Sequence, residues 1–559
     1  MTPEIGPASN SILLITDNPD QGQYNCEYDP ALFQGVQNSL RWKPPSWGGQ
    51  TNVNAATALQ VIDNIDLLLT GGRLNQANKN LLVQIYNSAR TGSNPDNKAL
   101  NTVLSHYSAV PEFHMTSSSL STTTIRAVPN ITIPANPPPI QGYKAIVYLF
   151  MAGAADSFSM LAPTSACSNL YNQYTNIRGD IAIPSSSLRG ISASNQTCNS
   201  LGLHPSLENI HNLYSTGDAA WIANVGPLVR HLTNVQYNEG STPVPPALFA
   251  HNTQTQITQA VFAQDNAAGG VLGRMGDVLN AQAAKEVFTA FSIRGSPKIL
   301  EGAPGVSRSA DVLSEGGVVS FNYLASPHER HIEALNKYVM KSIHGETFSS
   351  SLTNALYRTR YLSGIVGSTA LANDACFDGL DTGIANQLQQ VSRLIKKRDG
   401  LRATRNVFYT EIGGFDTHSD NGPDLTRLLT QIDSAIGCFK NEMVSQNIWN
   451  NVTLISASEF ARTLSSNGEG TDHAWGGNHF IIGGSVKGGR IHGQYPSDLT
   501  ENGILNIGQG RLIPTTPWEG VWNGLAEWFG VTSDNMSKVI PNKANFGGVN
   551  IFSKAVMFD

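Results

Sequence analysis

From residue 143 onward, short apolar runs alternate with amphipathic segments, and this pattern is the strongest constraint on the fold. The run YKAIVYLFMAG (143–153) is continuous, rich in β-branched and aromatic residues, and typical of a buried strand in a parallel sheet. Four similar runs follow it: DAAWIANVG (218–226), VFYTEIGG (407–414), NVTLISASE (451–459) and HFIIGG (479–484). Five segments have helical spacing: 204–217, 253–264, 328–344, 384–399 and 424–444. The alternation predicts an α/β domain over 143–559, a doubly wound sheet with helices on both faces.

The N-terminal part has a different pattern. Residues 54–89 carry apolar residues at steps of three and four, interrupted by TGGR (70–73), and 97–114 repeat this spacing. We therefore predict a small helical region over 1–115. Residues 116–142 are rich in Ser, Thr and Pro, which predicts an extended, exposed connector before the α/β domain.

Composition excludes some functions and favours a compartment. Charged residues make up only 14% and the net charge is −6, so no basic surface for nucleic acid is expected. No stretch approaches the roughly 20 apolar residues of a membrane span. A surface made polar by amides and hydroxyls favours a secreted, extracellular or periplasmic protein, although the start MTPEIGPASN lacks signal-peptide features, so we expect a leader to have been removed. Four glycosylation sequons fit secretion: Asn130, Asn195, Asn451 and Asn535.

The five cysteines leave two interpretations open. None forms a C-x-x-C pair, which disfavours a zinc knuckle or a redox motif. In an oxidising compartment Cys167–Cys198 and Cys376–Cys438 would pair and leave Cys26 over. The alternative is five free thiols, most of them buried.

Acidic and imidazole side chains follow the predicted strands, where ligands bind in open parallel sheets. The candidates beyond the strand ends, with one histidine that precedes the last apolar run, are Asp156, Asp416, His418, Asp472, His473 and His479. Carboxylates mixed with imidazoles suit Zn, Mn or Fe, whereas carboxylates alone would suit Mg or Ca. Six ligands suffice for two divalent metal ions. Each residue alone has an ordinary explanation, because Asp often caps a helix and a lone His is usually a satisfied loop residue.

Several segments together resemble a bacterial family known as domain of unknown function 1501. They are LFMAGAADSFSMLAP (149–163), LHPSLENIHNLYSTGDAAWIANVG (203–226), GGFDTHSDN (413–421), SASEFARTLSSNGEGTDHAWGGNHFIIGG (456–484) and GRLIPTTPWEGVWNGLAEWFGV (510–531). The resemblance implies the alkaline-phosphatase and sulfatase superfamily, with two metals around a Ser, Thr or formylglycine nucleophile. It places Asp156, Asp472 and His473 at one metal, and Asp416, His418 and His479 at the other. The N-terminal segments IDNIDLLLTGGRL and AVPEFHMTS resemble the end of a second family, domain of unknown function 1800.

The sequence departs from the family pattern where a nucleophile is expected. The family carries Ser-His before a helix, and this chain has Ala250-His251, with Thr253 and Thr255 as the nearest hydroxyls. The family's Gly-Gly before the first acidic position is Gly-Ala-Ala at 153–155.

Two functions follow from these departures. One is a secreted metal-dependent hydrolase of phosphate or sulfate esters, with glycans among its possible substrates. In it His251 and Arg462 would hold the anion, unless Arg462 pairs with Glu459 or Glu469. The other is a non-catalytic cell-surface or matrix protein on a degenerate fold, whose surface suits packing against glycans or self-association.

Overall fold

The computed structural model describes residues 55–92, 95–115, 121–127, 139–264, 268–282, 286–304, 310–317, 328–366 and 369–559. Cys26 and the Asn130 sequon lie outside these residues. The chain divides into two compact units. The first is formed by Met1–Asn130 with Phe321–Arg358, and the second by Ile131–Ser320 with Thr359–Asp559. Segment 321–358 thus belongs with the N-terminal residues, which the predicted division into 1–115, 116–142 and 143–559 does not anticipate.

The α-helices of the described residues are numbered in chain order. They are α1 Ala55–Thr70, α2 Gln76–Ala89, α3 Pro95–Tyr107, α4 Ser157–Met160, α5 Ser168–Arg178, α6 Glu208–Thr216, α7 Asn234–Asn238, α8 His251–Ala260, α9 Val271–Ala281, α10 His328–Leu335, α11 Ile343–Val366, α12 Asp374–Asp378, α13 Gly383–Lys396, α14 Arg398–Leu401, α15 Asn421–Ser445, α16 Trp518–Phe529, α17 Met536–Val539 and α18 Lys554–Met557.

The strands of the same residues are numbered in the same way. They are β1 Ser121–Ile125, β2 Lys144–Met151, β3 Leu161–Pro163, β4 Arg189–Ser192, β5 Ser200–Leu203, β6 Ala219–Gly226, β7 Phe288–Ser292, β8 Asp311–Val312, β9 Tyr338–Met340, β10 Arg405–Ile412, β11 Val452–Ala457, β12 Arg462–Ser466, β13 Thr471–His473, β14 Gly477–Ile482, β15 Arg490–His492 and β16 Thr516–Pro517.

The first unit is helical at its start, as predicted. The TGGR turn separates α1 from α2, and buried Asp66 closes it by accepting from the Leu74 N–H (3.0 Å) and pairing with Lys79 (2.7 Å). Apolar side chains of α1, α2 and α3 form one core that includes Ile62, Leu82 and Val103.

One prediction for this unit needs correction. The predicted helix over 328–344 is wrong: α10 ends at Leu335, and β9 interrupts the helical pattern before α11. The expected connector contributes β1, which pairs antiparallel with β9 and contains three consecutive threonines. Strand pairing of β-branched residues outweighs the helical spacing here, because tertiary context overrides local propensity.

The second unit is built on a nine-stranded sheet with the order β15-β6-β14-β11-β2-β10-β7-β8, and β16 pairs with β6. Side chains of β2 alternate between two cores: Val147 and Leu149 pack on one face, Tyr148 and Phe150 on the other. Helices α13 and α15 contribute to the first core, and α9 and α16 to the second. The predicted α/β class, with helices on both faces and a helical N-terminal region, is confirmed.

The sheet is mixed and not fully parallel. Strand β14 runs antiparallel to both β11 and β6, whereas β11, β2, β10 and β7 are parallel. Only the small β12–β13 hairpin separates β11 from β14. A parallel connection needs a crossover, usually a helix, and the chain has none there, so it returns in the opposite direction.

Both predicted disulfides are present. Cys167–Cys198 joins the start of α5 to the segment before β5, and Cys376–Cys438 joins α12 to α15. These four cysteines are therefore not free thiols. Among the residues that the structure describes, no helix is both long and apolar enough to cross a membrane.

Candidate metal centre

Three segments of the second unit bring the candidate residues together. Asp416 and His418 follow β10, Asp472 and His473 lie on β13, and His251 opens α8. The approach of β10 to β13 depends on Gly470, because a Cβ there would lie 2.4 Å from the Thr417 carbonyl oxygen. The Thr471 N–H donates to that same oxygen (3.2 Å).

Glycine is also required where β2 ends. A Cβ on Gly153 would lie 2.5 Å from the Asp416 nitrogen, and its φ of +113° favours glycine. The next residue, Ala154, has a left-handed φ of +68°, so the departure from Gly-Gly places a methyl group in a conformation that glycine adopts more readily.

The ring Nε2 atoms of the three histidines and the Asp416 carboxylate form a compact cluster. His473 Nε2 lies 3.0 Å from His251 Nε2, 3.1 Å from His418 Nε2 and 3.2 Å from Asp416 Oδ1. Asp416 Oδ1 is 3.0 Å from His418 Nε2, and Asp416 Oδ2 is 3.7 Å from His251 Nε2. Tetrahedral Zn–N bonds of about 2.0–2.1 Å would put neighbouring ligand atoms about 3.3 Å apart, close to these distances. Ligand atoms of His251, Asp416 and His473 all lie within 4.8 Å of one another, and His418 adjoins two of them, Asp416 and His473.

Each histidine is held from behind at its Nδ1 atom by a group that can only accept. His251 Nδ1 lies 2.7 Å from Glu459 Oε1, His418 Nδ1 lies 3.0 Å from Asp472 Oδ1, and His473 Nδ1 lies 2.9 Å from a backbone carbonyl, that of Phe249. Nδ1 therefore donates in each ring, and with a metal ion bound each Nε2 atom would present its lone pair to that ion.

Converging lone pairs repel unless a cation lies among them. Protonating the Nε2 atoms would place several positive charges next to one another. One divalent cation could instead accept the Nε2 lone pairs and the Asp416 carboxylate together. Histidine ligands whose second nitrogen donates to a carboxylate or carbonyl are the usual arrangement at metal sites. The residues present thus fit a divalent metal of the Zn, Mn or Fe type.

The electrostatics of the cluster favour a deprotonated Asp416. Burial acts to raise the pKa of this carboxyl, but the Arg462 guanidinium, bonded to Oδ1 at 2.7 Å, lowers it below its ordinary value, aided by His473 and His418. The pKa of His251 is raised, first by the hydrogen bond to Glu459 and against the effect of burial. The first effect keeps negative charge on the Asp416 carboxylate. The second makes the His251 imidazole a stronger electron-pair donor.

The cluster opens to solvent on one side. The side chains of Asp416, His418 and Asp472 are 46%, 47% and 45% exposed, so a dissolved substrate can reach them. On the other side the buried ring of Phe460 lies 4.9 Å from the rings of His251 and His473.

Arg462, predicted from the sequence to hold the substrate anion, donates to groups of the protein. Its side chain is fully buried, Nη1 donates to Asp416 and Gly153 O (3.2 Å), and Nε donates to Thr471 O (3.1 Å). Nη2 also donates to Thr471 O. The guanidinium is committed to these partners, so it positions Asp416 and has no free face for a substrate anion. The predicted alternatives, Glu459 and Glu469, are not its partners either.

Asp156, predicted from the sequence as a metal ligand, lies apart from the cluster. The carboxylate is fully buried and accepts from Arg178 Nη1 and Nη2, Ser159 Oγ (2.8 Å) and Asn421 Nδ2 (2.9 Å). Burial acts to raise the pKa of Asp156, but Arg178 and the other donors lower it. Asn421 Oδ1 accepts from Thr417 Oγ1, so Asp156 supports the Asp416–His418 segment from behind.

His479, predicted from the sequence as a metal ligand, is also outside the cluster. It lies within β14, its ring is 5.3 Å from that of Trp518, and burial lowers its pKa to about 3. The side chain therefore faces an apolar core as a neutral imidazole. The sequence pattern suggested that His479 precedes the last strand, but the strand begins at Gly477 and includes it.

Sequence reasoning did not assign an orienting role to two groups that hold the cluster. Glu459, two residues after β11, was considered only as a partner of Arg462. The Phe249 carbonyl has no sequence signal, because any residue supplies a backbone oxygen. Ala250, the N-cap of α8, provides no side-chain capping bond and no nucleophilic atom.

Comparison with protein families matches residues 143–502 to the family described as "Protein of unknown function (DUF1501)". The chain belongs to this family. The match does not include the N-terminal segments, whose resemblance to the second family stays a prediction. Comparison with curated proteins finds no match.

Solved structures similar to this DUF1501 chain include three with low identity. One is the lipoteichoic acid synthase LtaP from Listeria monocytogenes (7% identity, 69% of this chain and 78% of that one, TM-score 0.27). The others are the PsFucS1 sulfatase from Pseudoalteromonas sp. (8%, 70% and 68%, 0.30) and an alkaline phosphatase superfamily protein from Vibrio parahaemolyticus (12%, 66% and 68%, 0.25).

Proposed function

We propose that this chain is a secreted hydrolase of phosphate or sulfate esters that holds one divalent metal ion through His251, His418, His473 and Asp416. The observation that carries the proposal is the convergence of three Nε2 lone pairs on one carboxylate. The sequence predicts two metal sites, but Asp156 and His479 are engaged elsewhere, and Asp472 faces His418 Nδ1. The remaining predicted ligands, together with His251, are enough for one metal site.

The side chains around the proposed metal centre set the protonation states of its ligands. Glu459 and Asp472 keep the protons of His251 and His418 on Nδ1, and Arg462 keeps Asp416 ionised. Phe460 excludes water from the inner side of the imidazoles. A bound divalent cation would supply positive charge that neutralises the charge developing on the ester oxygens.

Location outside the cytosol is part of the proposal. The two disulfides support an oxidising compartment, extracellular or periplasmic, because such bonds form and persist there. Phosphate and sulfate esters of glycans are among the substrates present in such compartments, so the test panel includes them.

The experiment compares metal content and turnover in matched variants. The full chain is purified without chelator, loaded with Zn²⁺ or Mn²⁺, and assayed on aryl and glycan phosphate and sulfate esters. We expect one metal per chain and turnover that His473→Ala abolishes. His211→Ala, which changes a half-buried histidine bonded to Gly190 O, is the control and keeps both. A chain that binds no metal at saturating concentration would overturn the proposal.

Ala250 favours a second candidate, a non-catalytic extracellular protein on the same fold. The residue before His251 carries no hydroxyl, so the chain lacks the side chain that the family pattern has at this position. Metal binding without turnover on any ester would support this candidate. Turnover gained in Ala250→Ser would then show that this one residue removed catalysis.

A further inference from the structure

Arg511 is bonded to the backbone of His473, one of the candidate ligands, and packs on Phe249, whose carbonyl oxygen orients the His473 ring. Its Nε donates to the carbonyl oxygen of His473 at 3.0 Å. Its guanidinium carbon lies 4.9 Å from the ring centroid of Phe249, a cation–π contact. Phe249 also supplies the carbonyl that fixes the His473 tautomer. A single group of contacts therefore positions both the imidazole and the guanidinium.

The backbone on either side of Arg511 is tied to the hairpin that carries His473. The Leu464 N–H donates to Gly510 O (3.0 Å), and the Gly476 N–H donates to Leu512 O (2.9 Å). The turn itself is closed by the Arg511 N–H, which donates to Gly508 O at 3.1 Å. The loop cannot move independently of β12 and β13, so the guanidinium is held in place before any ligand arrives.

The positive charge of Arg511 is not compensated by the protein. Among the described residues, no carboxylate lies within ion-pair distance of it, and its Nη1 and Nη2 groups donate to no protein acceptor. The side chain is half-buried, so these nitrogens reach solvent. Arg462, in contrast, is fully buried with its donors engaged. Arg511 is the cation with free donors beside His473.

We propose that Arg511 binds the anionic phosphoryl or sulfuryl group of the substrate, the role that the sequence assigned to Arg462. A planar guanidinium with two free NH2 groups matches two oxygens of a tetrahedral oxyanion, which a lysine ammonium cannot do in the same way. The inference rests on the proposed function and adds the charge of the substrate: a mono- or dianionic tetrahedral ester, not a neutral carboxylic ester.

The test measures the binding of inorganic phosphate and of sulfate to the full chain by calorimetry, with and without Zn²⁺. The variants are Arg511→Gln and Arg511→Lys, and the control is Arg427→Gln, an exposed arginine paired with Asp424. We expect Arg511→Gln to weaken oxyanion binding about 10- to 100-fold. Arg511→Lys should recover part of this loss, and Arg427→Gln should match the wild type. On ester substrates, Arg511→Gln should raise KM.

Metal content separates this inference from the proposed function. All three variants should bind Zn²⁺ like the wild type, because the contacts of Arg511 with His473 and Phe249 involve the backbone of His473 and the ring of Phe249, and neither involves the His473 imidazole. Equal oxyanion affinity in wild type and Arg511→Gln, with or without metal, would overturn the assignment of Arg511. A chain without Zn²⁺ affinity would overturn the proposed function. The oxyanion affinities of wild type and Arg511→Gln measured without metal would still decide whether Arg511 binds the anion.

Discussion

His473 Nδ1 donates to the carbonyl oxygen of Phe249 at 2.9 Å, and this contact orients the ring so that Nε2 lies 3.2 Å from Asp416 Oδ1. Glu459 and Asp472 do the same for His251 and His418. These outer acceptors decide the protonation state of the inner atoms. Three features of this unit have consequences that can be measured. They are the acceptor Glu459, the buried Asp156–Arg178 ion pair and the buried carboxyl of Glu519.

Replacing Glu459 should weaken metal binding without removing a ligand. In Glu459→Gln the His251 Nδ1 loses its carboxylate acceptor, so the donor strength of Nε2 falls, and we expect about 10- to 100-fold lower Zn²⁺ affinity. Competition with a chromophoric chelator measures this affinity. Glu208→Gln, an exposed carboxylate paired with Arg189, is the matched control. Unchanged affinity in Glu459→Gln would show that Glu459 does not tune the centre.

Asp156 should be essential for stability but not for metal stoichiometry. In Asp156→Asn the fully buried Arg178 loses its charge partner, and breaking such a pair costs about 3–5 kcal/mol of unfolding free energy. The folded-state pKa of Asp156 is depressed, so its contribution is present above the unfolded-state pKa and lost as pH falls through the folded one.

Urea unfolding of wild type and Asp156→Asn at a series of pH values measures this contribution. The difference between them should be constant from neutral pH down to the ordinary range of an aspartate, and should shrink in stronger acid. Metal per chain should stay at the wild-type value at neutral pH. Loss of metal from a folded Asp156→Asn protein would restore Asp156 as a ligand.

Glu519 should make the protein less stable as pH rises. Burial raises its pKa from 4.5 to about 7, against hydrogen bonds such as that from Asn542 Nδ2 (3.0 Å). The folded state therefore binds the proton more tightly, and the carboxyl costs stability above the unfolded-state pKa, reaching at most about 3 kcal/mol above pH 7.

The variant Glu519→Gln should remove this dependence, since its amide oxygen can still accept from Asn542. We expect it to be increasingly more stable than wild type between pH 5 and about pH 8, measured by urea unfolding. A stability difference that does not vary with pH would contradict the raised pKa.

The sequence predicted the sheet and the neighbourhood of the site better than individual roles. Apolar runs identify β2, β6, β10, β11 and β14, because a buried strand needs a continuous apolar stretch. The carboxyl ends of β10 and β11 lead to the cluster for the same topological reason. The direction of β14 could not be read, because apolar spacing does not distinguish parallel from antiparallel neighbours.

Roles that depend on side-chain partners were out of reach. Asp156 and Asp416 both follow strands, but only the fold shows that Arg178 meets the first and Arg462 the second. Likewise, the sequence does not distinguish the donors of Arg462 from those of Arg511. Only the fold shows that the donors of one are engaged and those of the other are free.

Anomalous scattering from crystals of the Zn²⁺-loaded full chain tests the central claim most directly. We expect one zinc peak per chain, bonded to the Nε2 atoms of His251, His418 and His473 and to Asp416. A peak bonded to Asp156 or His479, or no peak at these four residues in zinc-saturated crystals, would contradict it.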